Sequence, residues 1–561
     1  MAPLFRDKFG QVLDPGELRS LSRRYGAEAT RAKLTALNRV VDRDLADPVA
    51  LRAYHDVLLF LLAYPDNEEL HRRAFREIRR IAAVVRAAGP RLAEDLKESG
   101  LAHSQVVRTF SRDLTRWLRD RFGSAVAIEW SGDSAESELD EALPLLLAVA
   151  ERDCLLRGDP ARLVIRTAGG RGDELKWLLD RVERLSHESG LIDLLWDRFA
   201  IPISWRLTSP QASVTFARFP PRPLHTFGQG LDRVVEGVPP VRRTKRLPTP
   251  QAESVIDTCR VALAVRGRET DPITAANPGE VYLFRLDRGL DVAIIGMLPG
   301  RRLPIESYFG FMAARNRVPM AYGGGWTFFD RCEIGINVFE EFRGGESLHT
   351  LSRIVGVYRT LFRPRILTVA PGQIGAGNTE AILSGAYWAY DRLGFRPTDD
   401  SLAALANRER ARRRSSDSYR SSASVLHRLS RSSLRLRLDD TAAIDPLEVH
   451  EVAQIATRWV AGRHQGSLQR ASSAAVRRAL RALQVTDYMS WPAAQRRAFD
   501  DLSLLVAPIP DLARWGEPDK RQLVAAMRAK GGRQERRYAR TLQEHRRLYE
   551  AWRTLARSKA R

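Results

Sequence analysis

Between Cys332 and Pro397 the pattern of apolar and polar positions changes period three times without a gap. From Glu333 to Phe339 it alternates strictly, with Ile334, Ile336 and Val338 on one face and Glu333, Gly335, Asn337 and Phe339 on the other, which predicts a strand. From Leu348 the period becomes helical, through Leu351, Ile354, Val355 and Tyr358. Ile366 to Ala370 is a second β-branched run that Pro371 stops, and a second helix ends in Tyr390-Asp391-Arg392-Leu393-Gly394-Phe395. Between the first strand and its helix lies Arg343-Gly344-Gly345-Glu346-Ser347. A glycine pair there leaves backbone N–H groups directed outward at a helix N-terminus, where the helix dipole favours an anion such as phosphate, and Arg343 adds a cation.

The same patterning divides the rest of the chain. Helical spacing dominates residues 16 to about 125, punctuated at Pro65-Asp66-Asn67 and Gly89-Pro90, and the apolar setting of His55 marks it as a core residue. Residues 131–141 are acidic and read as a linker or a solvated helix start. Leu163-Val164-Ile165 followed by Gly169-Gly170-Arg171-Gly172 lacks the full pattern of a phosphate loop. Prolines crowd residues 209–250 and forbid a helix, leaving a linker or an extended arm. Ala252 to Val265 predicts a helix, and Val281–Leu286, Leu290–Met297, Tyr308–Met312 and Val318–Phe329 predict strands, with Gly323-Gly324-Gly325 marking a close backbone approach or a bulge. From Asn407 to Asp440 the composition narrows to Arg, Ser and Leu, either disordered or a basic helix. Lys520 to Arg561 predicts one amphipathic helix with Tyr538, Leu542, Tyr549 and Trp552 on its apolar stripe. Six segments result: a helical 1–130, an α/β or helical 131–208, a Pro-rich basic 209–250, an α/β unit over 251–398, an Arg/Ser-rich 399–445 and a basic helical 446–561.

Two stretches in the α/β unit resemble a known family. Val338-Phe-Glu-Glu-Phe-Arg-Gly-Gly-Glu-Ser347 resembles the Val-x-Pro-Glu-Tyr-Arg-Gly-x-Gly-x-Gly/Ala signature of the GNAT (N-acetyltransferase-like) acyltransferase superfamily, and Tyr390 to Phe395 resembles its second signature, Tyr-Glu-Lys-Leu-Gly-Phe. The chain departs from the pattern at Glu346, where the family has a glycine, and at Leu348. The resemblance implies a mixed central sheet with helices on both faces over about 251–398, embedded between mainly helical N- and C-terminal domains. It implies acetyl-CoA or another acyl-CoA as co-substrate, an amine acceptor that is a small molecule or a protein, and no metal. By the same resemblance the backbone of Val338 pairs with the pantetheine arm, Arg343, Gly344, Gly345, Glu346 and Ser347 hold the pyrophosphate, Asn378 lies near the cofactor, and Tyr390 gives a proton to the departing thiolate. Acyl transfer to an amine also needs a base. Glu333, on the strand face of Asn337, is the candidate, as a buried carboxylate with a raised pKa.

Charge adds a second set of readings. The chain of 561 residues carries a formal +22, nearly all of it from arginine, which favours acidic partners: nucleic acid, anionic lipid or a nucleotide cofactor. Arg242 to Arg246, Arg412 to Arg414 and the C-terminal helix are the basic segments a nucleic acid would meet. Cys154, Cys259 and Cys332 are too scattered for a disulfide frame or a zinc site, and the ten histidines show no ligand spacing. The longest apolar run, Val57 to Tyr64, is too short to cross a bilayer, so a cytoplasmic protein is expected. Two further functions stay open: a non-catalytic scaffold or nucleic-acid-binding protein on the same fold, and a transferase using aminoacyl-tRNA as donor.

Overall fold

The structure is a computed structural model that describes residues 5–6, 12–13, 15–40, 47–130, 133–152, 161–169, 173–186, 188–209, 211–231, 235, 237–416, 418–439 and 446–558. At the N-terminus β1 (Phe5–Arg6) pairs with β2 (Val12–Leu13), and four helices follow: α1 (Pro15–Ser22), α2 (Ala27–Arg39), α3 (Pro48–Ala63) and α4 (Glu68–Asp95). The apolar run 57–64 falls in α3, which is buried almost throughout and starts where the Asp47 carboxylate accepts from Val49 N and Ala50 N. Gly89, at φ 73°, breaks the helical path of α4 just before Pro90. His55 is a core residue, its Nε2 3.1 Å from Thr215 Oγ1.

The next region interleaves the first two predicted segments. β3 (Gln105–Arg108), α5 (Arg112–Phe122) and β4 (Val126–Ile128) are followed by α6 (Asp133–Leu146), α7 (Ala161–Gly169), α8 (Glu174–Glu183), α9 (Ser189–Phe199) and β5 (Ile203–Arg206). β5 pairs antiparallel with both β3 and β4, so residues on either side of 131 share one three-stranded sheet. The Leu163–Ile165 run lies inside α7; Gly170, Arg171 and Gly172, like Ser131, Gly132 and Cys154, lie outside the described residues.

The described residues between 209 and 248 form the extended arm rather than a free linker. Phe219, Phe227 and Val238 are buried, Val241 N donates to Thr360 Oγ1 at 2.8 Å, and Ser352 Oγ donates to Gly237 O at 2.7 Å. The arm leads into α10 (Thr249–Ala264) and α11 (Asp271–Thr274).

The main sheet is built from β6 (Ala276–Arg285), β7 (Leu290–Met297), β8 (Ser307–Arg315), β9 (Val318–Phe328), β10 (Arg331–Val338), β11 (Ile366–Val369), β12 (Arg396–Pro397) and β13 (Leu434–Arg437). Its order is 12-13-11-10-9-8-7-6. β6 to β10 form an antiparallel meander, β10 and β11 are a parallel pair, and β13 lies antiparallel between β11 and β12. The crossover from β10 to β11 is α12 (Ser347–Phe362); α13 (Pro371–Ile374), α14 (Thr379–Ser384) and α15 (Ala386–Arg392) join β11 to β12. Helices cover both faces. Tyr358 of α12 lies against Gly325 and donates to Phe309 O at 2.7 Å, while Pro272 of α11 lies over Gly310 on the opposite face.

Of the two readings of the Arg/Ser-rich segment the basic helix holds for its first part, α16 (Asp400–Ser415), with Arg412 to Arg414 in its last turn; α17 (Ala423–Leu429) and β13 follow among the described residues, so the α/β unit runs past residue 398, a correction to its boundary. The alternation in β13, Leu434 and Leu436 between Arg435 and Arg437, is sealed between two strands. The single helix expected from Lys520 is three, α21 (Glu517–Lys530), α22 (Glu535–Glu544) and α23 (Arg546–Arg557), following α18 (Val449–His464), α19 (Leu468–Ala482) and α20 (Ala493–Val506). Tyr538, Leu542, Tyr549 and Trp552 are buried as expected, packed with Phe328 and Phe329 from the end of β9. Glu280 of β6 accepts from the amides of Glu535 and Arg536, both at 2.8 Å, and so ties the start of α22 to the sheet. Among the described residues no helix is long and apolar enough to cross a membrane.

Candidate functional site

The parallel pair is short. β10 and β11 are in register only at Arg331–Glu333 against Ile366–Thr368; beyond that point the strands part, although β11 stays fully paired to β13 on its other side. From Ile334 to Val338 the β11-facing edge of β10 therefore carries no strand. An open α/β sheet binds ligands at the carboxyl ends of its strands where neighbours diverge, and this is the one such point in the described sheet. The amide of Ile336 faces the opening and donates to Gln373 Oε1 at 3.2 Å, with the Gln373 side chain resting over Gly335. Val338, two residues on, presents its backbone along the same edge. At the base of the opening the Thr368 Oγ1 is buried without a hydrogen-bond partner.

Tyr390 enters from α15. Its ring packs edge-on against Phe395 and is buried, and its hydroxyl lies beside the N–H of Ile336. Burial raises the phenol well above its ordinary value, against a smaller lowering from that N–H, so it stays protonated. The structure thus brings the Tyr390 hydroxyl, the Ile336 amide and the Val338 edge together.

The turn after β10 stands at the mouth of the opening. Arg343 forms an ion pair with Glu380 of α14, linking the segment that follows β10 to the segment that follows β11. Gly344 is exposed at φ 85°, and Ser347 begins α12. Arg23, just past the end of α1, donates to Arg343 O and Arg19 of α1 donates to Glu340 O, so a second and third guanidinium approach the turn from the N-terminal region. Gly345 is pressed against the ring of Tyr64, whose hydroxyl lies beside the Glu346 amide.

Glu346 answers the departure noted in the sequence. Its carboxylate is buried, 2.9 Å from Arg315 and paired also with Arg288, so it points away from the mouth of the turn. Its side chain holds the turn to the β7–β8 side of the molecule rather than facing a ligand. Asn378 is a helix cap: Oδ1 accepts from Ala381 N at 3.1 Å and Nδ2 donates to Gly372 O at 3.0 Å, which occupies both ends of the amide. Glu333 is not the buried carboxylate expected. Its side chain is 34% exposed and sits 3.4 Å from Arg331, which Glu306 and Glu448 also approach.

Gln373, Thr368, Glu380, Arg23 and Tyr64 were not singled out from the sequence. Only the short spacing of Gln373 after Pro371 signals it; the last two come from the N-terminal region some three hundred residues upstream. Cys259 and Cys332 are buried with thiols pushed up by burial, Cys332 to about 12, which excludes them as thiolates at neutral pH. No family model, curated protein or solved structure matches the chain.

Proposed function

We propose that the chain is an acyl-CoA-dependent N-acyltransferase of GNAT type, with the opening between β10 and β11 as the site of its co-substrate and the flanking helical regions choosing the acceptor. The observation that carries this reading is the meeting of both signature stretches at one opening. The first signature supplies the open edge at Val338 and the cationic turn 343–347, and the second supplies the Tyr390 hydroxyl beside Ile336.

The chemistry follows from the residues. An extended amide-bearing arm can pair with the free backbone of Val338 as an added strand would. The pyrophosphate of a nucleotide fits the exposed glycine turn with Arg343 and Arg23, because anions are favoured where helix amides and guanidinium groups converge. In transfer, the amine nitrogen attacks the thioester carbonyl, the C–S bond breaks, and the thiolate takes a proton that a protonated Tyr390 is placed to give. The acceptor amine must arrive deprotonated or lose its proton to water.

The test is calorimetric titration with acetyl-CoA and longer acyl-CoAs. Micromolar binding is expected, weakened about tenfold or more in Arg343→Ala and Gly344→Asp, with Tyr390→Phe binding normally but transferring slowly. A second reading is a scaffold that has kept the fold without the chemistry. Tyr64 favours it, since its hydroxyl occupies the Glu346 amide at the start of α12. Under that reading no acyl-CoA binds to the folded protein, while short RNA or DNA binds with a steep salt dependence.

A further inference from the structure

A second cationic site lies outside the opening. A cleft of about 130 Å³ is lined by α3, α4, the arm after β5 and the turn between β8 and β9. Four of its lining groups are basic: His71, Arg218, Arg222 and Arg317. Arg222 is answered by Asp291 at 2.7 Å, a carboxylate that burial raises to about 6. The other two guanidinium groups have no carboxylate partner among the described residues. Arg218 spends one nitrogen on its own segment, donating from Nη1 to Ala217 O at 2.8 Å, and leaves its buried Nη2 without a partner. Arg317, held at φ 72°, uses Nε for Phe219 O at 2.8 Å.

Burial and then the like charges of Arg317 and Arg266 push Arg218 down to about 9, and burial with Arg218 and Arg317 lowers His71. Arg266 itself is paired with Glu341, so its charge is already met. The acid that acts on His71 is the exposed Glu68, one turn before it on α4. Two guanidinium charges thus converge on a cleft far larger than one water requires, one of them with an idle buried donor. Buried charge without a partner is costly, and arginine's planar donor fork matches the oxygens of a tetrahedral anion. Two unanswered positive charges call for a dianion.

We infer that this cleft is an oxyanion site that takes a phosphate group, free or as a phosphate monoester. It does not depend on the acyltransferase reading, because it shares no residue with the opening between β10 and β11.

The experiment is calorimetric titration of the full chain, in a buffer free of phosphate, with inorganic phosphate, glycerol phosphate and, as a singly charged control, acetate. Saturable binding of phosphate or glycerol phosphate but not acetate is expected. Arg317→Gln, at the rim, should weaken it about tenfold or more, and Arg218→Gln at least as much, while Arg521→Gln, on the exposed face of α21, leaves it unchanged. Tighter binding of glycerol phosphate assigns the site to an esterified ligand, and tighter binding of phosphate to the free ion. A thermal-unfolding series guards against loss of folding in Arg218→Gln: phosphate should raise the Tm of the wild type and not that of Arg317→Gln. Absence of phosphate binding by the wild type, or binding equal in the wild type and Arg317→Gln, overturns the inference.

Discussion

Two glycine-rich stretches of this chain look alike in sequence and do opposite work. In β9, a Cβ on Gly323 would stand 2.0 Å from Gly335 O, on Gly324 2.3 Å from the Tyr308 ring, and on Gly325 2.2 Å from the Tyr358 ring. These glycines are buried spacers that let aromatic side chains and the neighbouring strand close on the sheet from both faces. In the turn after β10, a Cβ on Gly344 would meet only the far end of the Arg23 side chain at 3.3 Å, and the residue is exposed at φ 85°. That glycine is chosen for conformation and access, not for packing. What fixes the turn is the next charged residue, Glu346, in its buried pair with Arg315.

That contrast can be broken most forcefully at the carboxylate. Glu346→Gln leaves Arg315, which has no exposure, without its charge partner; a loss of about 3–5 kcal/mol in urea unfolding is expected. A loss below about 1 kcal/mol would show that the turn is held by something else. Gly325→Ala comes next. Tyr358 is held by its bond to Phe309 O and cannot swing aside, so overpacking should cost about 3 kcal/mol. Gly344→Ala should cost only about 1 kcal/mol, the strain of a left-handed residue, while reducing co-substrate binding more than stability.

Smaller, and read from pH, are two carboxylates, one within β6 and one in the turn after it. Burial raises Asp287, but hydrogen bonds from Arg353 and His349 outweigh it and bring the group down to about 2. The folded value lies below the unfolded one near 3.9, so this stabilisation is present above about pH 4 and is lost as pH falls toward 2. Glu280 is the reverse: burial pushes it up to about 7 against the Arg536 and Glu535 amides. Its contribution is complete below about pH 4 and lost as pH rises through 7. Urea unfolding across pH 2 to 8 should show Asp287→Asn flattening the acid limb and Glu280→Gln flattening the decline between pH 5 and 7.

Local patterning in the sequence foretold the local structure. The alternation of 333–339, the helical period from Leu348 and the run 366–369 became β10, α12 and β11, because each buries its pattern against immediate neighbours. Strand β13 was not legible as such, since four residues of alternating Leu and Arg amid serines carry too little signal until β11 and β12 enclose them. At the site, the turn and Tyr390 could be read, but the fate of Glu346 could not. Its partners lie far off in sequence, Arg288 in the turn between β6 and β7 and Arg315 at the end of β8, and whether a carboxylate faces a ligand or an arginine depends on that long-range pairing. The same holds for Tyr64 and Arg23, which reach the turn from the N-terminal region with no sequence link to it.

The central claim is that the β11-facing edge of β10 receives an acyl-CoA arm. Hydrogen–deuterium exchange with and without acetyl-CoA tests it directly, because an amide that gains a strand-like partner exchanges more slowly. Protection confined to peptides spanning Ile336 to Val338 and Arg343 to Leu348, and absent in Gly344→Asp, is the result expected. Exchange in those peptides unaltered at saturating acetyl-CoA, in a protein whose folding is intact, would contradict it.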